Sequence, residues 1–471
     1  MKELARAAFA VVTAAALFAA CSKEKDSGSI RFDRPALYLA AGETATVGFS
    51  LADTDARTLS VTSRPTGWEQ IALDAAARTL TVTAPASADG EDVVASGSVV
   101  VSGTSGGGVV SGTLFVGIAR SEDFSARPAN SYIAAREDTE YRFDAVHKND
   151  GTALATARIG VVWQSASKLV RYLHFDGSCG SFYVGAEDGA LKEGNALIGA
   201  YDAHDKLIWS WHVWVSDFDP DENPLVLDGG TMMTRNLGAL ANGCATDAEK
   251  LASYGLFYQW GRKEPFVGPL TYDAADGLSS AMYDGDDKRV YLTMTASTSE
   301  TGTMAYAAEH PLEFLVVDDK DADWLQDGTA ARWSGAAKSV YDPCPYGWRV
   351  APASAYEGLT IQEELTAEDA AYGSQYGWVL GNGTAEVFFP GGGRRCWLDG
   401  KVHNYFDESL PVRSAEMQPW VGYYWTADAA EAAASAFCFW YKAGDAAASG
   451  VRNGRPMGRA NGMSVRCVRD E

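Results

Sequence analysis

Two stretches decide how this chain is to be folded: 344-CPYGWRV-350 and the terminal 464-SVRCVRDE-471. Pro345 and Gly347 favour a tight turn directly after Cys344, because proline presets φ and glycine accepts the backbone angles a turn demands. Val465, Cys467 and Arg469 alternate onto one side of an extended last strand. A cysteine so close to a terminus does little alone, so its role depends on the compartment and on the other cysteines.

The compartment is written at the other end. Lys2 and Arg6 frame the start of a small, apolar run from Ala7 to Ala20 that ends in 17-LFAAC-21. It is too short to span a bilayer and has the layout of an export signal. It resembles a bacterial lipoprotein signal, which implies cleavage before Cys21 and a lipid on the Cys21 thiol. Residues 1–20 are thus expected as signal peptide and 21–29 as a tether, since 22-SKEKDSGS-29 is polar and without apolar anchors. The tether also resembles the export signal of surface lipoproteins, which implies an outer-membrane, lipid-anchored, surface-exposed protein.

Cys21 aside, six of the seven cysteines remain: Cys179, Cys244, Cys344, Cys396, Cys438 and Cys467. An oxidising compartment permits disulfides, and six cysteines allow fifteen pairings. None lies in a CxxC pair, so a zinc ribbon is not expected. The formal charge of −23 repels nucleic acid and acidic bilayers, and nucleic acid is not expected as a partner.

Residues 30–119 read as a β-sandwich. Leu80 and Val82 alternate with threonines in 79-TLTVT-83, and Leu114, Val116 and Ile118 share a face in 113-TLFVGI-118. Turn residues in 64-RPTG-67, 89-DG-90 and 103-GTSGGG-108 separate the runs. The segment resembles immunoglobulin-like modules, BACON-type among them. Residues 120–218 read as a second β-module, whose main strand is 206-KLIWSWHVWV-215. Tryptophan on both of its faces implies that both are covered, as core rather than as a sugar-stacking surface. His212 is expected as a hydrogen-bonded strand residue, with no second histidine at metal spacing.

Two acidic stretches invite a metal. In 217-DFDPDENPLVLD-228 the acids follow calcium-loop arithmetic, but Glu222 replaces the required glycine and Asp228 the bidentate glutamate. Asp318, Asp319, Asp321 and Asp323 read as a solvated loop. No metal and no cofactor is expected. The motifs HExxH and GxxxxGK[ST] are missing, and the GxSxG match in 103-GTSGG-107 falls in a glycine-rich turn, so no catalytic residue is named.

From Leu227 the chain turns rich in Gly, Trp and Tyr. The stretches 232-MMTRNLGA-239, 253-SYGLFYQWGRKEPF-266, 342-DPCPYGWRVA-351, 388-FFPGGGRR-395, 422-GYYWTA-427 and 464-SVRCVRD-470, in this order, resemble the FISUMP family, the major-paralogous domain of anaerobe surface proteins. The resemblance covers about Leu227 to Asp470 and implies a C-type-lectin-like α+β domain over 219–471, with terminal strands that meet. In such a domain a Cys344–Cys467 bridge would clasp the last strand to the body. Cys396 and Cys438 are the next expected pair, since 394-RRCWL-398 and 436-AFCFWY-441 both read as strands.

The expected fold class is therefore mainly β plus α+β: two immunoglobulin-like sandwiches, then a lectin-like domain. The expected function is a non-catalytic surface binding protein or adhesin, with a glycan or protein ligand at its lectin-like head and a fimbrial tip as one setting. A pilus assembly subunit, contacting other fimbrial subunits, is the alternative, and a glycan-processing enzyme the third reading.

Overall fold

The structure, a computed structural model of the chain, describes residues 28–86, 96–187, 190–268, 282–326, 332–362, 377–403, 421–430, 433–440 and 450–470. The export segment, Cys21 and the tether up to Ser27 lie outside the described residues. The chain is mainly β and falls into two compact units, 1–118 and 119–471.

In the first unit, two four-stranded sheets share one core. One runs Ser29–Phe32, Thr44–Ala52, Thr79–Thr83, Ile71–Asp74; the other runs Ala36–Leu39, Gly108–Ile118, Ser96–Ser105, Asp55–Ser63. The period-two pattern sets which residues turn inward: Leu80, Val82, Leu114 and Val116 are fully buried together with Trp68. The outer strand Asp55–Ser63 pairs with irregular register and is largely exposed, which blunts it as a template for further strands.

The second unit opens with another pair of four-stranded sheets. One runs Ser131–Ala134, Leu207–Val215, Gly194–Tyr201, Arg158–Gln164; the other runs Arg171–Phe175, Cys179–Val184, Thr139–Asp144, Arg120–Asp123. These strands all lie within 120–218. Trp209, Trp211, Val213 and Val215 fill the core between these sheets, whereas Trp214 enters a second core shared with Met233, Phe257, Trp348 and Val465. Tryptophan occurs on both faces of this strand because each face meets a different hydrophobic body.

Residues 219–470 wrap around that second core. A short sheet orders Leu225–Leu227, Gly230–Met232, Cys467–Arg469 and Trp348–Val350, so the closing strand lies between the start of the region and the strand after Cys344. A larger sheet contains Leu256–Gln259, Gly462–Ser464, Val421–Ala430, Ala433–Trp440 and Gly450–Met457. Among the described residues the α-helices are Asp247–Tyr254 and Met304–Glu309, each N-capped by a threonine, Thr246 and Thr303. The α part of the expected α+β domain is therefore slight, because long polar insertions and glycines take the place of helical periodicity.

Candidate functional site

The turn after Cys344 is built from buried charge. Asp342, fully buried, accepts from the Cys344 N–H and the Val350 N–H, both at 2.9 Å. Lys338 Nζ donates to the carbonyls of Cys344, Pro345 and Trp348 at 2.7, 3.2 and 2.6 Å and lies 3.3 Å from Asp342 Oδ1. One ammonium thus gathers three carbonyls of the turn, of which that of Pro345 also accepts the Trp348 N–H at 3.1 Å. Burial lowers the Lys338 pKa, and the Asp342 carboxylate opposes that fall. Gly347 sits at φ 78°, a left-handed angle that its place in the turn requires. Cys344 and Cys467 are bonded, tying the turn to the closing strand, where Val350 faces Cys467 in register. Asn130 Nδ2 anchors the approach by donating to the carbonyls of Val340 and Asp342, both at 2.8 Å.

Every neighbour in this turn is bonded or buried except Tyr346, which is 55% exposed. Its ring borders a groove of about 490 Å³ whose walls include Phe124, Tyr132, Arg136, Asp219 and Trp348. Two sequence features meet here, the 344–350 turn and the acidic 217–228 loop. The acids do not converge as calcium ligands would: Asp221 pairs with Arg469 at 2.7 Å and Asp217 with Arg235 at 3.5 Å, while Asp219 accepts the Asp221 N–H. Arg469 in turn lies 4.8 Å over the Trp348 ring, and Arg127 lies 4.7 Å over Phe124 while pairing with Glu122. The groove thus offers aromatic faces, paired charges and the exposed guanidinium of Arg136, which no acid engages among the described residues.

Beneath it runs a chain of buried polar groups: Ser131 Oγ to His212 Nδ1 at 2.7 Å, His212 Nε2 to Asn195 Oδ1 at 2.9 Å, and Asn195 Nδ2 to the Gly238 carbonyl at 2.9 Å. The Gly238 carbonyl fixes the amide orientation, so Nε2 carries the proton and Ser131 donates to Nδ1. The order hydroxyl, imidazole, amide is that of a nucleophile, base and orienter. Its surroundings deny it that use. Ser131 is 1% exposed, and burial lowers the His212 pKa to about 3, leaving a feeble base with only neutral partners. His212 is the hydrogen-bonded strand residue that the sequence implied.

The other marked residues of the C-terminal region have structural duties. Arg466 is fully buried, donates to Asn236 Oδ1 at 3.0 and 2.8 Å and to the Phe388 carbonyl at 3.1 Å, and packs 3.8 Å from the Phe389 ring. It thereby joins three of the quoted motifs. Arg395 donates to the carbonyls of Val267 and Gly400. Arg262 donates to the Glu313 and Ala307 carbonyls, and Lys263 to the Ser210 carbonyl and hydroxyl, beside buried Glu264. Burial alone would raise the Glu264 pKa, but Lys263 and Arg262 outweigh it and hold the carboxyl below its ordinary value. Asp323, expected in a solvated loop, instead binds Arg332 at 2.9 and 2.8 Å and Arg459 at 2.9 Å.

Cys396 and Cys438, expected as a pair, are free thiols, as is Cys179. The strand through Cys396 ends at Arg395; Cys396 then closes a turn, its N–H donating to the Lys401 carbonyl and its own carbonyl accepting from Gly400. Cys438 lies opposite Tyr423 within Ala433–Trp440, and burial in the shared core raises its pKa to about 12. Sequence reasoning passed over Lys338 and Asp342, although Asp342 two residues before Cys344 is an Asx-type signal that could have marked the turn.

No protein-family profile matches the chain, and no curated protein matches it in sequence. Among solved structures, similarity extends to an endo-fucoidan hydrolase of glycoside hydrolase family 107 (12% identity, 44% of this chain and 30% of that one, TM-score 0.15). It extends also to Drosophila N-cadherin EC1-4 (9% identity, 40% and 49%, TM-score 0.17) and to titin A168–A169 (14% identity, 40% and 95%, TM-score 0.13). The chain thus spans less than a third of the hydrolase. Likenesses this slight carry no argument about function.

Proposed function

We propose that the chain is a non-catalytic binding protein whose ligand, a glycan or a protein, docks in the groove beside Tyr346. The observation that supports this reading is the contrast within the 344–350 turn: an ion pair, a disulfide and a set of carbonyl bonds hold it rigid, yet its apex tyrosine is left 55% exposed over an open groove. Packing has no use for that ring, whereas an ordered aromatic face costs little entropy on binding. Loops on a rigid scaffold are also where binding residues usually sit.

The finer assignments belong to the same reading. The first unit is an immunoglobulin-like sandwich, and residues 219–471 are a lectin-like head related to the FISUMP family. Cys21 carries a lipid that anchors the protein to the outer membrane facing outward, where a fimbrial-tip adhesin is one form of the activity. The test uses the full chain carrying C21S on glycan and peptide arrays, with Tyr346→Ala beside it. At least one ligand should bind the parent and weaken about tenfold or more in Y346A, a loss typical of an aromatic anchor. If every interaction survives Y346A unchanged, the groove is not the site.

A further inference from the structure

On the far side of Tyr346 the surface opens again. A second cleft of about 340 Å³ is lined by Asn149, Asp150, Ser339 and Asp470, and Tyr346 borders both this cleft and the larger groove. Each lies within the size range of small-ligand sites. The ring therefore stands at the junction of two clefts rather than at the rim of one.

The second cleft holds polar groups with no internal use. The Asn149 side-chain oxygen and the Ser339 hydroxyl make no hydrogen bond, although both are shielded from water. Asn149 Nδ2 donates to the Ser339 carbonyl at 3.0 Å, which settles which end of the amide is oxygen. One orphan is thus an acceptor and the other both donor and acceptor. Buried polar atoms are nearly always paired, so two orphans from adjacent residues of one cleft point to an outside partner. A ligand hydroxyl, which gives one hydrogen bond and takes another, fits that pair after a small side-chain rotation.

We infer that the two clefts form one track, crossing Tyr346, for a linear neutral oligosaccharide. One sugar ring lies on the tyrosine face and a hydroxyl of a neighbouring unit meets Ser339 and Asn149. This rests on the groove being a ligand site, as proposed above, and names the ligand class. Most acids along the track are already paired, Glu122 with Arg127, Asp221 with Arg469 and Asp470 with Arg349, so a neutral chain binds without displacing an ion pair. An added peptide strand is disfavoured. Trp348–Val350 is an edge strand, but its Trp348 carbonyl is taken by Lys338 and its Val350 N–H by Asp342, so the groups that would pair with a peptide are occupied.

The test is calorimetric titration of the full chain carrying C21S with neutral homo-oligosaccharides of β-1,4-glucan, β-1,4-mannan, β-1,4-xylan and α-1,4-glucan, in lengths from one unit upward. In at least one series affinity should climb about tenfold or more from the single sugar to the tetrasaccharide, as a second subsite engages. Ser339→Ala should lower tetrasaccharide affinity about threefold or more, the loss of one hydrogen bond, with the melting temperature unchanged. Equal affinity for short and long chains, indifference to S339A, or binding of acidic chains alone overturns the inference. If no saccharide binds but a peptide ligand is lost in Y346A, the inference fails while the groove reading stands. If no interaction of either class depends on Tyr346, both fail.

Discussion

Replacing both Cys344 and Cys467 by alanine tests whether the closing strand depends on its covalent clasp. The bond joins residues 123 apart, and a loop of that length corresponds to about 5 kcal/mol of lost unfolded-state entropy at 25 °C. Two features reduce the expected effect. Cys467–Arg469 keeps its pairing with Trp348–Val350, and Lys338 with Asp342 still holds the turn. Both sulfurs are fully buried, so alanine leaves small voids that add back about 1 kcal/mol. The expected loss is about 2–5 kcal/mol, confined to the second unit. Trp68 is the single tryptophan of residues 1–118, so fluorescence in a urea titration reports mainly on 119–471. The variant's transition should move to lower urea with a steeper slope, because the freed chain exposes more surface on unfolding. Native-state hydrogen exchange supplies the spatial check: amides of Trp348–Val350 and Cys467–Arg469 should lose protection while those of Thr79–Thr83 keep theirs. A loss below about 1 kcal/mol, or equal loosening of the first unit, would refute the reasoning.

Two further outcomes follow from buried groups. His212 has a pKa of about 3 in the fold, against about 6.5 in the unfolded chain, so below pH 6.5 the unfolded chain binds a proton that the folded chain refuses. Its contribution to stability is therefore full above pH 6.5 and declines by roughly 1.4 kcal/mol per unit as pH falls toward 3; His212→Gln should flatten stability between pH 6.5 and 5 by that slope, and identical slopes would mean that the folded imidazole already titrates. Arg466→Lys keeps the charge but cannot reach both Asn236 and Phe388, so it should cost about 2–4 kcal/mol by urea unfolding, whereas a variant as stable as the parent would show that charge alone suffices there.

The β character was readable because alternation is local. Leu80 and Val82 declare their strand without reference to any partner, and the tryptophans of 206–215 declare that both faces are covered. What covers the second face was not readable, because Trp214 meets Met233, Phe257 and Val465 across long intervals of sequence. Hence the local pattern shows that the second face is covered but not which residues cover it. The same limit explains the cysteines. Cys396 and Cys438 both sit in apolar, strand-like stretches, but the chain turns immediately after Arg395, and that turn is set by Gly400 and Lys401 rather than by the hydrophobic pattern. The groove was legible only in pieces: the 344–350 turn and the 217–228 acids were both conspicuous, but nothing local places them on one surface.

The buried cations of the C-terminal region share one kind of partner. A region with little helix and many loops buries carbonyls that no ladder serves, and a buried carbonyl without a donor is costly. Arg262, Lys263, Lys338, Arg395 and Arg466 each end on such carbonyls. Cations suit this work because one side chain reaches several acceptors at once, and bonds from a charged donor are the stronger ones. These cations therefore mark where loops of this architecture are pinned. By the same reasoning the informative residue is the one the pinning does not use. Within 344–350 the ion pair, the disulfide and the left-handed glycine all fix the backbone beneath Tyr346 without engaging its ring, so the natural account of the ring is something that comes from outside.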